Sequence, residues 1–162
     1  AILPFLEQKE LYDQFRHDEP WDSEHNKKLV EKMPSVFRSP NSNAKPGMTV
    51  FLGVGGPQGV LAPPNAAGSP KGIRFADIKD GTSNTIAIVE ASDALAVEWT
   101  KPEPWVPDAS NPLKGLLGMR PKGFLAGFAD GHMSFISDKV DPKVLSYLFS
   151  HSDGKTVELP DD

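Results

Sequence analysis

The stretch FLAGFADGHMSFI, Phe124–Ile136, sets two short apolar runs on either side of Asp130-Gly131, a pair suited to a tight turn. It predicts a β-hairpin. With a two-residue loop, Ala129 faces His132, Phe128 faces Met133 and Ala126 faces Phe135. Side chains alternate along a strand, so Phe124, Ala126, Phe128, Met133 and Phe135 form a bulky face for burial. Leu125, Gly127, Ala129, His132, Ser134 and Ile136 form a leaner one.

Downstream, Asp141-Pro142 supplies a cap and a proline at the first helical position, predicting a helix through Val144, Leu145, Leu148 and Phe149. Gly154 ends that region, and Val157–Leu159 is the candidate for a last strand. Upstream, Thr85–Glu90 is β-branched and apolar and follows a dense turn at Asp80–Asn84, so it reads as a strand. Ala94–Trp99 is the expected partner, and Ile73–Phe75 a short additional strand. Met48–Val54 reads as a further strand, ended by the glycines at 53, 55, 56 and 59. Those glycines do not make a phosphate loop, because no Gly-Lys-Ser/Thr follows and Pro57, Pro63 and Pro64 cannot open the helix it requires. Residues 63–72 read as a surface loop.

At the N-terminal end, Phe5, Leu6, Leu11, Tyr12 and Phe15 fall among charged residues with amphipathic spacing, predicting a helix from Pro4 to about Phe15. Asp22 or Ser23 can cap a second helix that buries Leu29, Val30 and Met33 before Pro34, with Trp21 as a hydrophobic staple. Helices, then antiparallel strands with long loops, then a helix predict an α+β fold rather than alternating βαβ units.

The 162 residues are 38% hydrophobic and 24% charged, the composition of one soluble globular domain. A net charge of −5 argues against nucleic acid or an anionic membrane as the main partner, since both demand a basic patch. The sequence has no cysteine, which excludes disulfides and thiolate chemistry. Its 16 prolines and 14 glycines concentrate at residues 40–72 and 102–121, so long ordered loops are expected there.

No catalytic constellation stands out. There is no Gly-x-Ser-x-Gly elbow and no His-Glu-x-x-His helix, and His17, His25, His132 and His151 are widely separated, so a non-enzymatic protein is expected. A metal-dependent hydrolase is the least favoured alternative. The candidate cation or solute site is Asp80, Glu90, Asp93 and His132, around the central strands; a solvated strand end explains the carboxylates equally well. Calcium is the candidate ion for Asp138, Asp141 and Asp153, although no loop has EF-hand spacing. Asp130 beside His132 is explained as a turn residue. Trp21, Trp99 and Trp105 are the candidate partner contacts, with Trp99 also suited to anchoring its loop to the sheet.

The segments ILPFLEQKELYDQF, DEPWDSEHNKKL, DGTSNTIAIVEASDALAVEWTKPE and GFLAGFADGHMSFI together resemble a large bacterial family of PulG-like, prepilin-related proteins. The resemblance spans Ile2 to Leu148. In that family the shared domain has no assigned function, some members carry a transporter or solute-binding label, and the domain follows a short leader with a prepilin-type cleavage and methylation site and a long apolar helix. The resemblance implies a pilin-like antiparallel sheet with flanking helices, anchored in the cytoplasmic membrane only through that helix and placed outside the cytoplasm. It implies partners among other pilin-like or secretion-system subunits and supplies no catalytic residues. Asp18, Glu19, Trp21, Asp22 and Asn26 match its acidic-tryptophan motif, and Gly81, Ser83, Asn84 and Glu90 its turn-and-strand motif. Trp99, Thr100 and Pro102 match its loop motif. Two positions depart from it: Ser39 stands where many relatives have a cysteine, and Glu98 where a proline is common.

Overall fold

The computed structural model describes residues 2–61, 72–155 and 157. Its centre is a four-stranded antiparallel sheet built from β2 (Phe51–Gly53), β3 (Ile86–Glu90), β5 (Gly123–Phe128) and β6 (Met133–Ser137), in that order across the sheet. A two-stranded sheet pairs β1 (Met48–Thr49) with β4 (Val97–Glu98). The α+β class expected from the sequence is the observed one.

The hairpin forms where predicted, with its register moved by one residue. Gly127 faces Met133, Leu125 faces Phe135 and Phe124 faces Ile136. The loop is three residues long: the Gly131 amide donates to the Phe128 carbonyl, the Phe128 amide donates to the His132 carbonyl, and Gly131 takes φ +96°. This is a type I turn closed by a bulge whose glycine sits in the left-handed region. One residue of slip exchanges the faces of the returning strand. Ile136 therefore enters the core beside Phe124, while Met133 and Phe135 turn outward at 59% and 38% exposure.

One sheet face is packed. Leu52, Val54, Ile86, Val89, Phe124, Ala126, Phe128 and Ile136 meet Leu145, Leu148 and Phe149 of the C-terminal helix region, together with Trp105 and Leu116 from the proline-rich loop. The helix α3 (Pro142–Leu148) starts as read from the sequence, with Asp141 Oδ1 accepting from the Lys143 amide at 2.8 Å. Each buried Leu or Phe contributes roughly 1.5–3 kcal/mol by leaving water, so this cluster carries most of the folding energy.

Other expectations are corrected. The predicted strand over 48–54 breaks at Val50: β1 pairs with β4, while β2 pairs with β3. The partners of β3 are β2 and β5, and Ala94–Trp99 contributes only the two residues of β4, preceded by a 3-10 turn at Asp93–Leu95. Residues 73–75 are not a strand, and Phe75 begins a 3-10 turn. The first helix divides, with a 3-10 turn at Leu3–Leu6, Glu7 in the left-handed region at φ 58°, and α1 at Lys9–Gln14. That break leaves Phe5 86% exposed, off the stripe formed with Leu11. The second helix, α2, is only Glu24–Lys27; Ser23 caps it, and a 3-10 turn at Val30–Lys32 follows. The residues proposed as the 63–72 loop lie outside the described residues except Gly72, as do Glu158 and Leu159 of the proposed last strand. Among the described residues, no helix is long and apolar enough to cross a membrane.

Candidate functional site

The short N-terminal elements are held by polar ties, and these shape an aromatic cleft. Asn26 of α2 is buried and fully used: Oδ1 accepts from the Arg16 amide, and Nδ2 donates to the Arg16 and Pro20 carbonyls, all at 2.9 Å. One amide side chain thereby fixes the 16–20 loop. Trp99, just after β4, donates from Nε1 to the Val30 carbonyl at 2.9 Å, pinning the sheet to the 3-10 turn behind α2. Phe37 stacks on Trp99 with ring centroids 5.3 Å apart, and Phe15 meets its edge at 5.9 Å.

These ties enclose a cleft of about 330 Å³ lined by Tyr12, Phe15, Trp21, Phe37, Trp99 and Thr100, with Arg16, His17 and Glu19 at hand. Arg16 Nη1 lies 2.9 Å from Glu19 Oε1. The Glu19 carboxyl is held below its ordinary range by a hydrogen bond from Ser23 and then by Arg16. Tyr12 packs against His17 in a tilted pair with ring centroids 4.1 Å apart. Two of the three tryptophans singled out from the sequence, Trp21 and Trp99, therefore meet at one place. Trp21 serves there as cleft wall. Trp105 is a correction: it is buried in the core with its ring 4.9 Å from Phe149, a position periodicity could not reveal because the loop carrying it is irregular.

The carboxylate set is dispersed among separate networks. Asp80 is buried and accepts from the Asp153 and Gly154 amides at 2.7 and 2.8 Å, tying the C-terminal segment to the turn before β3. Glu90 is buried between Arg120, at 2.5 Å, and the Ser39 hydroxyl, at 2.6 Å. Ser39 is itself buried and serves as a donor to this core carboxylate. Asp93 accepts from the Ser42 hydroxyl at 2.5 Å and the Asn43 amide at 3.0 Å, bonds that hold its carboxyl below the ordinary range. His132 lies 2.6 Å from Asp130 and stacks on Phe128 at 4.2 Å. The His132 amide and then its ring lower the Asp130 carboxyl. Among the described residues no three histidines or carboxylates gather as a metal site. Asp141 of the calcium set is spent on the α3 cap, and Asp153 on the Lys155 amide.

A second surface was not anticipated. The outer sheet face carries Ile88, 43% exposed, with Leu125, Met133 and Phe135 around Gly53 and Gly127. The two-residue loop expected from the sequence points Met133 and Phe135 inward, and the observed register turns both onto this face.

A family model described as a protein of unknown function, DUF1559, matches residues 1–69 and 53–113, more than half of the chain. The chain belongs to the DUF1559 family. No curated protein and no solved structure matches it. The DUF1559 match contains every residue named on the cleft wall, whereas the β5–β6 hairpin lies beyond it.

Proposed function

We propose that this DUF1559 domain is a non-enzymatic, extracytoplasmic assembly module of pseudopilin-like kind, and that the open face of its sheet receives an apolar helix. The observation that carries the reading is the contrast between the two sheet faces: one is filled by α3 and the proline-rich loop, the other presents Ile88, Met133 and Phe135 to solvent. A sheet with apolar side chains on both faces is complete only when both are covered. Gly53 and Gly127 flank Ile88 in one row across the sheet, with Leu61 packed over Gly53 and the Met133 sulfur over Gly127, so the face offers a continuous apolar surface. The PulG-like motifs support the helix as occupant, since in that family an apolar helix precedes this domain.

The test is expression of the full gene product in cells with an active prepilin peptidase. Processing and retention in the membrane are expected, with Phe135→Asp and Met133→Asp weakening subunit crosslinking while the protein stays folded. A product that remains soluble and unprocessed overturns the reading.

A further inference from the structure

The two edges of the four-stranded sheet are finished differently. At the β2 edge, loop backbone closes the ladder. The Trp105 amide donates to the Gly53 carbonyl at 2.9 Å, the Gly55 amide to the Trp105 carbonyl at 2.8 Å and the Leu61 amide to the Val54 carbonyl at 2.9 Å. At the β6 edge, among the described residues, no further strand or bridge is paired. The Phe128 amide donates to the His132 carbonyl and the Asp138 amide to the Lys122 carbonyl, so the even-numbered residues of this strand turn their backbone groups towards β5. Backbone direction alternates along an antiparallel strand, so Met133, Phe135 and Ser137 direct theirs outward. Edge strands are ordinarily blunted by a charge, a proline or a bulge. The run MSFIS, Met133–Ser137, contains no charge and no proline, and its pairing with β5 has no register shift.

We propose that β6 pairs edge to edge with β6 of a second copy of this chain, antiparallel and centred on Phe135, joining two four-stranded sheets into one. Reading along the strand selects both the occupant and the register. About a twofold axis at Phe135, Phe135 faces its own copy, Met133 faces Ser137, Ser134 faces Ile136 and His132 faces Asp138. The Phe135 pair exchanges two backbone hydrogen bonds and sets two aromatic rings side by side on the open face. His132, whose Nδ1 is spent on Asp130, brings its other ring nitrogen to the exposed Asp138, a carboxylate without a side-chain partner among the described residues. No like charges meet. Moving the axis to Ser134 sets Asp130 opposite Asp138 on both flanks, and moving it to Ile136 sets Lys139 against the apolar Met133. Because the β2 edge is closed, the contact ends at two copies and does not extend into a fibre. Edge pairing leaves the open face itself uncovered, so it goes beyond the assembly reading and does not depend on it.

The test is sedimentation of the 162-residue chain from about 10 µM to about 1 mM, the range in which so small an interface associates. A monomer–dimer equilibrium is expected, with the Phe135 amide exchanging more slowly as concentration rises. Phe135→Pro removes the outward N–H without touching the bonds to β5, and should raise the dimer Kd about thirtyfold. Phe135→Ala keeps the N–H and should raise it about fivefold. Register is read independently, by oxidative crosslinking of single-cysteine variants in a chain with no cysteine of its own. Phe135→Cys should give a disulfide-linked dimer, whereas Met133→Cys and Ser137→Cys, each held about 14 Å from its own copy, should not. A chain monomeric throughout that range, oligomers larger than two, Phe135→Pro associating as tightly as the parent, or equal crosslinking at 133 and 135 each overturns the inference. The last pattern is the one expected if copies met through the open sheet face. Processing and membrane retention of the full gene product test the assembly reading separately.

Discussion

Phe124 and Asn26 are both buried, one among the apolar side chains of the sheet and α3, the other among backbone carbonyls of the N-terminal segment. The sheet region gains its stability from area removed from water, which is non-directional and summed over many side chains. The N-terminal region has short helices and few fully buried apolar groups, and its shape depends on a small number of directed hydrogen bonds. The first kind of region loses stability in proportion to what is deleted. The second loses its shape when one polar tie is cut.

Phe124→Ala should be the most damaging change, lowering global stability by about 4 kcal/mol in urea unfolding. Glu90→Ala should follow at about 3 kcal/mol, because it leaves Arg120 and Ser39 facing a void where a paired carboxylate stood. Asn26→Ala should cost about 2 kcal/mol through unpaired backbone groups, but its signature is local: amide exchange at Arg16 accelerates while β3 and β5 stay protected. If β3 and β5 lose protection equally, the two regions are one cooperative unit and the comparison breaks.

The smaller effects sharpen it. Ser23→Ala removes the α2 cap and should cost about 1 kcal/mol, read from the same exchange experiment. The least effect concerns Asp77, whose pairing with Arg74 lowers its carboxyl from 3.8 to about 2. Its folded value is depressed, so its small contribution is present above the unfolded value and disappears as pH falls from about 4 towards 2. An NMR titration should place the Asp77 midpoint near 2, moving up towards 3.8 in Arg74→Ala.

The sheet region was largely legible because it follows local rules. β-branched residues in β3, the Asp141-Pro142 start of α3 and the Asp130-Gly131 turn each act over a few residues. The hairpin register was missed because the same Asp-Gly pair serves two-residue and bulged three-residue loops, and only the second puts Ile136 in the core. The pairing of β4 with β1 rather than β3 depends on the chain changing sheets at Val50, which no periodicity marks. At the cleft, Trp21 and Trp99 were visible as unusual residues, but their meeting rests on the Asn26 and Trp99 hydrogen bonds, whose partners are distant in sequence. Thr100 carried no signal beyond its motif, and the irregular loop around Trp105 concealed a core residue.

The one-residue shift at the hairpin also gives the open sheet face a chemical handle. Met133 is brought to the surface as a solvent-facing thioether, which mild peroxide converts to a polar sulfoxide. A covered Met133 would be shielded from that reaction, so its rate of oxidation reports occupancy of the face without a label. Once oxidised, the same side chain would oppose an apolar occupant, so the proposed assembly through this face would be sensitive to oxidative conditions.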